Sequence, residues 1–279
     1  MFSKLLKYDF INTRRYGLPL LFSILGTGIL GAGFSFLFNR SLSAGRIPSA
    51  LDVFLTVSSA FLFMLCIFAL FALCALMMVF MMVHFYKNLV TDEGYLTFTL
   101  PVSPANILCS KLFTAFVWNI LAWIAAFCAF VILFIPFMDI FSMDWDAILF
   151  SLRQLVSTLN LLDLQSWAAL VLTLINLVFS CISTILMIYT AIILGSVIAR
   201  KHKILAAMGL IFAISAVKSI VSSVVLFFPL LLSSGTLLEM SVDGYMNLTN
   251  TLSILISAIF AISCFFLSKY LLEKKLNLE

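Results

Sequence analysis

Long apolar runs separated by short polar segments dominate the hydrophobic pattern of this chain. A helix needs about 20 apolar residues to cross the ~30 Å of hydrocarbon in a bilayer. Each run meets that length or approaches it, so the pattern predicts an all-α, polytopic membrane protein with six transmembrane helices. The second and fourth runs are much longer and must tilt or project beyond the bilayer. The predicted spans are residues 17–38, 53–83, 113–137, 167–198, 204–232 and 251–267.

The first sixteen residues are basic and amphipathic. Lys4, Lys7, Arg14 and Arg15 alternate there with leucine, isoleucine and phenylalanine. This mixture is typical of a helix that lies in the membrane interface. We therefore predict an N-terminal interfacial helix over residues 1–16, inside a single transmembrane domain that covers residues 1–279.

The segment 86–111 is the longest polar break on the side of the chain that carries most of the basic residues. Thr91 fits a helix N-cap, and Asp92 and Glu93 then fall in the first turn, where the helix dipole favours carboxylates. Pro101 disfavours a helical conformation in the residue before it, so this helix should be short.

The short helix carries apolar side chains that no neighbouring run would cover: Tyr95, Leu96, Phe98 and Leu100. Ser103 and Pro104 then fit a second N-cap with proline at the first helical position. The pattern therefore predicts a small docking helix between the second and third spans.

The composition agrees with a membrane protein. The 279 residues are 64% hydrophobic and 10% charged, whereas soluble domains are about 45–50% apolar and about 25% charged. The net charge of +4 comes from short, scattered clusters of basic residues. Such scattering does not indicate a nucleic-acid partner.

The distribution of Lys and Arg predicts the orientation, because cytoplasmic loops are enriched in both. With both termini in the cytoplasm, Arg40, Arg46 and Arg153 fall outside and Lys218 lies within a span. The other twelve of the sixteen basic residues fall inside, namely Lys4, Lys7, Arg14, Arg15, Lys87, Lys111, Arg200, Lys201, Lys203, Lys269, Lys274 and Lys275.

Lys218 is the most informative residue within the spans, because a charge there is costly and tends to face a cavity or a partner. Small polar residues also form a stripe on one face of the fourth run, which includes Ser183 and Thr190, and Ser253 and Ser257 continue this pattern on the sixth run. These faces either line a substrate path or hold the helices together by hydrogen bonds, and for Lys218 the path is favoured. The residues assigned to the candidate path are Lys218, Ser215, Ser219, Ser222, Asn176, Ser180 and Thr184.

Three glycines match the GxGxxG fingerprint of dinucleotide-binding folds: Gly26, Gly28 and Gly31. They lie inside the first run, with no preceding strand, so the match does not predict a cofactor site. Close helix packing through Gly28 and Ala32, and through Gly31 and Ser35, explains their spacing better.

Catalytic and metal sites are disfavoured. His84 and His202 are the only histidines, and the six cysteines form no CxxC pair. No GxxxxGK[ST] phosphate loop occurs, so the chain is not expected to bind ATP by such a loop. We expect no catalytic residues, no bound metal and no cofactor on this chain.

Residues 91–112, TDEGYLTFTLPVSPANILCSKL, resemble the first cytoplasmic loop of type-2 ATP-binding-cassette exporter permeases, especially the stand-alone permeases of Gram-positive bacteria. In that family an acidic residue and a glycine precede a short coupling helix, a Pro-Val-Ser-like turn follows, and a basic residue, here Lys111, opens the third span. The resemblance assigns ATPase coupling to Thr91, Asp92, Glu93, Gly94, Tyr95, Leu96, Phe98, Leu100, Pro101 and Ser103.

The resemblance implies a multi-pass subunit of the bacterial cytoplasmic membrane, surrounded by lipid. Its partners would be a second permease copy or paralogue and separate ATPase subunits that hold ATP and Mg²⁺. It would export an amphipathic peptide, lipid or drug by alternating access. Two alternatives stay open: an ion-coupled secondary transporter or channel, although no Asp or Glu lies at mid-depth in a span, and a non-transporting membrane sensor subunit.

Overall fold

Six long α-helices make up most of the part of the chain that the structure, a computed structural model, describes. That part comprises residues 2–42, 50–90, 103–138, 149–150, 153–154, 164–199, 202–232 and 242–274. Each of the six helices is long and apolar enough to cross a membrane. The prediction of an all-α, multi-pass membrane protein is thereby confirmed. The helices are α1 (Phe2–Leu42), α2 (Ala50–Val90), α3 (Pro104–Phe134), α4 (Leu164–Ile198), α5 (Lys203–Leu232) and α6 (Val242–Lys274), and a 3₁₀ turn, Ile135–Met138, prolongs α3.

The helices extend well beyond the apolar runs. α1 and α2 have 41 residues each, so each is about 60 Å long, twice the hydrocarbon thickness. α1 shows no interruption at residue 16, where the sequence suggests a change from an interfacial helix to a span. The placement of residues 1–16 on the membrane surface therefore stays a prediction.

The start of α3 confirms the predicted cap. Pro104 is its first helical residue, and the carbonyl of Ser103 accepts hydrogen bonds from the backbone N–H groups of Asn106 (2.9 Å) and Ile107 (3.3 Å). Ser103 thus occupies the N-cap position, and Pro104 stands where its missing N–H costs no helical hydrogen bond.

The chain divides into two compact units, which are described separately. The α1 unit comprises Lys7–Met81 and Val117–Val156. Within it α1 packs against α3 through small residues, since a Cβ at Gly28 would lie 2.6 Å from the Ala129 Cα. Two turns further along α1, the Ser35 hydroxyl donates a hydrogen bond of 3.1 Å to the Leu133 carbonyl. These contacts support the helix-packing interpretation of the GxGxxG match.

The α4 unit comprises Met1–Leu6, Met82–Phe116 and Ser157–Glu279. Its α4 and α6 run parallel, because Asn176 meets Asn250 and, fourteen residues later, Thr190 meets the Cys264 carbonyl. α5 runs antiparallel to α4. At their crossing a Cβ on Gly195 would lie 2.6 Å from the backbone N of Ala207.

Candidate functional site

A stacked pair of aromatic rings joins the end of α2 to the last third of α4. The rings of Phe85 and Tyr189 lie 3.7 Å apart between centroids, with 8° between their planes. The Tyr189 hydroxyl also donates a hydrogen bond of 3.3 Å to the Lys111 carbonyl on α3. Tyr189 therefore contacts both helices that flank residues 91–102, and we call this arrangement the Tyr189 contact.

The helix ends around the Tyr189 contact are deeply buried. Phe85 and Leu89 on α2 and Leu108 on α3 are each 0% exposed. Lys111, which the charge pattern places at the membrane face, is only 7% exposed. The Tyr189 contact joins these two helix ends, which we call the stems, to α4. Their burial opposes displacement, because moving fully buried side chains opens voids.

Most of the residues predicted to couple to an ATPase lie outside the described part of the chain. Ser103 is described and caps α3. The remaining assigned residues, namely Thr91, Asp92, Glu93, Gly94, Tyr95, Leu96, Phe98, Leu100 and Pro101, lie outside the described residues. Their coupling role and the short docking helix stay predictions.

Lys218 is held by a residue of the neighbouring helix. Its ammonium Nζ donates a hydrogen bond of 3.0 Å to the Ser183 hydroxyl on α4, and Ser183 is 0% exposed. Lys218 itself is half-buried. The ammonium thus lies in the contact between α4 and α5, with a neutral hydroxyl as its partner.

No acidic residue of α4, α5 or α6 is near the level of Lys218. α4 and α5 contain neither Asp nor Glu, and α6 carries only Asp243 and Glu273, one near each end. The parallel register of α4 and α6 places Ser257 level with Ser183, so these acids lie about 20 Å or more away along α6. Among the residues that the structure describes, Glu273 pairs instead with Lys269, at 4.0 Å.

The other residues assigned to the candidate path do not gather around Lys218. The hydroxyls of Ser215 and Thr184 donate to carbonyls of their own helices, at 3.0 Å and 2.8 Å. Ser180 and Ser219 are exposed, and Ser222 is half-buried. The structure therefore joins Lys218 to α4 and leaves the serines beside it in sequence on the surface or bonded within α5.

Asn176 belongs to a separate polar contact. Its amide lies 3.5 Å from the Asn250 side-chain oxygen on α6, and the Asn250 amide donates to the Thr173 hydroxyl at 2.9 Å. The sequence pattern missed Asn250 and Thr173, because polar residues near a span end are common in any connecting segment.

Three polar levels follow one another along α4. Asn176, Ser183 and Thr190 are seven residues apart, which is about 10 Å of helix rise. At the third level the hydroxyls of Thr190 and Ser268 lie 2.9 Å apart. The outer two levels join α4 to α6, and the middle one joins α4 to α5. Asn176 and Thr190 thus have neutral partners, which is typical of helix packing. Ser183 instead accepts a hydrogen bond from the charged Lys218 ammonium.

No known protein family, curated protein or solved structure matches this chain. Its function therefore has to be argued from the residues themselves. Within the described residues, no group of three or more His, Cys, Asp or Glu side chains is placed to hold a metal ion.

Proposed function

We propose that this chain is the permease subunit of an ATP-binding-cassette exporter, which moves an amphipathic substrate out of the cell by alternating access. A separate ATPase would bind and hydrolyse ATP. The observation that carries the proposal is the Tyr189 contact, which fixes both stems of residues 91–102 to α4. A segment that receives a mechanical input needs such an attachment to the spans.

The length of α2 also supports the proposal. The apolar run ends at residue 83, but α2 continues to Val90 with His84, Lys87 and Asn88 in its last two turns. A helix of about 60 Å that crosses ~30 Å of hydrocarbon must tilt strongly or extend beyond it. Residues 91–102 would then stand clear of the lipid, within reach of a soluble partner.

Alternating access requires that the partner bind the two states of the permease with different free energies. Because the stems are buried against α4, a force on residues 91–102 would act on α4 and on its contacts with α5 and α6. The polar level at Ser183 and Lys218 is one of these contacts. A force on residues 91–102 would thus reach Lys218, which belongs to the candidate substrate path.

The first test is a search of the neighbouring reading frames for a soluble ATP-binding-cassette ATPase, and the second is reconstitution of the purified chain with the ATPase so identified. We expect the two to co-purify, and we expect an amphipathic substrate to stimulate ATP hydrolysis. Phe98→Ala should weaken co-purification, whereas Tyr8→Ala, at an aromatic residue that is 70% exposed on α1, should not. Equal retention of the ATPase by both variants would count against the coupling role of residues 91–102.

A second result would redirect the assignment. If the chain alone in proteoliposomes moved a substrate in response to an ion gradient, with no ATPase present, the exporter proposal would be wrong. An ion-coupled transporter would then replace it, although the described parts of α4 and α5 hold no acidic residue for proton coupling.

A further inference from the structure

The Lys218 backbone lies about 22 Å along α5 from its first residue and about 21 Å from its last, so this residue is near the middle of the helix. A charge at that depth in hydrocarbon is unfavourable unless an opposite charge or a water-filled space accompanies it. The Ser183 hydroxyl supplies only a dipole. The site therefore has a place for an anionic group, which no described residue of α4, α5 or α6 supplies at this level.

An apolar groove begins within one helical turn of Lys218. It lies between α5 and α6, has a volume of about 270 Å³, and is lined by apolar residues that include Val221 and Val225 on α5 and Leu252, Ile256 and Phe260 on α6. Its volume falls just below the roughly 300–1,000 Å³ of pockets that hold drug-sized molecules. The groove is thus the size for part of a ligand, such as one alkyl chain.

The charge and the groove share one side of α5. Lys218, Val221 and Val225 are spaced by three and by four residues, which places them on the same helix face. Only 6% of the apolar stretch of α5 is buried within the protein, and Leu255 and Ile259 on the groove wall are 58% and 63% exposed. A ligand can therefore reach the groove sideways from the bilayer.

We infer that Lys218 and the α5–α6 groove form a binding site for an anionic amphiphile that enters from the bilayer. Its phosphate or carboxylate binds the Lys218 ammonium, and its acyl chain lies in the groove. As the substrate site of an exporter this inference rests on the proposed function. As a binding site it does not, because binding requires neither ATP nor an ATPase.

The test is a titration of the purified full-length chain with two lysolipids that share one oleoyl chain. The probes are lysophosphatidic acid, which is anionic, and lysophosphatidylcholine, which is zwitterionic, and native mass spectrometry counts the bound molecules. We expect the wild type to prefer lysophosphatidic acid. Lys218→Met keeps an unbranched side chain only one atom shorter and removes the charge. It should therefore lower affinity for lysophosphatidic acid about tenfold or more and leave affinity for lysophosphatidylcholine unchanged.

Two further variants define the site. Val221→Trp fills the groove and should weaken binding of both lysolipids. Lys269→Met is the matched control, because Lys269 lies at an exposed position beside Glu273, and it should change neither affinity. The ratio of the two affinities is the readout for Lys218→Met, since misfolding would lower both together.

Three results would overturn the inference. If the ratio of the two lysolipid affinities is unchanged in Lys218→Met, Lys218 does not bind the anionic group and serves only in helix packing. Competition by inorganic phosphate at a concentration similar to that of the lysolipid would indicate a site for free anions. A change of oligomeric state in Val221→Trp, without a change in lysolipid affinity, would show that a second copy of the chain covers the groove. None of these results depends on whether the chain couples to an ATPase.

Discussion

The close approach of α4 and α5 at Gly195 allows a sharp test of the structure, with Gly195→Ala as the perturbation. A Cβ at this position would lie 2.6 Å from the Ala207 backbone N, 2.7 Å from its Cα and 2.9 Å from its Cβ. Ordinary carbon contacts lie at about 3.5–4.0 Å. Because the obstructing atoms include backbone, a rotamer change cannot relieve the clash, and the two helices must separate by about 1 Å.

The magnitude follows from the cost of overpacking. Inserting a methyl group into a well-packed contact typically costs about 1–3 kcal/mol. The matched control is Gly209→Ala on α5, where a Cβ would meet no atom within 4 Å. In water this change would gain about 1 kcal/mol of helix propensity. In a membrane the gain should largely vanish, because spans stay helical when tertiary contacts are lost.

The assay is reversible unfolding in mixed micelles with a rising fraction of denaturing detergent, followed by near-UV circular dichroism. We expect Gly195→Ala to be about 1–3 kcal/mol less stable than Gly209→Ala, which should match the wild type. If the free energies of unfolding of the two variants agree within about 0.5 kcal/mol, α4 and α5 do not approach each other as described.

The same measurement tests three other contacts. Gly28→Ala should destabilise the α1 unit by about 1–3 kcal/mol, whereas Gly26→Ala, whose Cβ would meet nothing within 4 Å, should not; equal effects would contradict the packing of α1. Tyr189→Phe keeps the stacked ring and removes a hydrogen bond of 3.3 Å, so it should cost about 0.5–1 kcal/mol, and a larger loss would mean that the hydroxyl has another structural role. Asn250→Ala removes two hydrogen bonds and should cost about 1.2 kcal/mol, at an average of about 0.6 kcal/mol for each bond between membrane helices. Its double-mutant cycle with Asn176→Ala should show coupling if the two amides bind each other.

The spans were predictable from the sequence because crossing a bilayer imposes a length and an apolar composition on each helix. The start of α3 was also predictable, because Ser103 and Pro104 are local signals. The continuation of α2 to Val90, beyond the predicted span, could not be predicted from the sequence. Hydropathy reports contact with lipid, whereas Phe85 and Leu89 are apolar residues that pack against protein beyond the predicted span.

The partners of the polar residues were predictable only in part. The spacing marks Lys218 and the α4 stripe as unusual, but it does not say which helix lies beside which. We assigned Ser215, Ser219 and Ser222 to the candidate path because they flank Lys218, whereas the structure places its ammonium on Ser183. Ser219, at i+1, points away from Lys218. Ser215 and Ser222 share the face of Lys218 at i−3 and i+4, but the Ser215 hydroxyl bonds to the Phe212 carbonyl of its own helix.

Tyr189 had no signal in the sequence, because an aromatic residue within an apolar run is ordinary there. Its importance comes from its position on α4, six residues and about 9 Å after Ser183. Residues 185 to 193 are all buried, so this part of α4 cannot bend without disturbing close-packed neighbours. If α4 moves as a rigid body, a displacement of the stems would shift Ser183 and change its distance from the Lys218 ammonium. Lysolipid binding by Tyr189→Ala, which removes both the stacked ring and the hydrogen bond, measures that link. A changed affinity ratio would show that the stems and the anion site communicate, and an unchanged ratio in the folded variant would show that they do not.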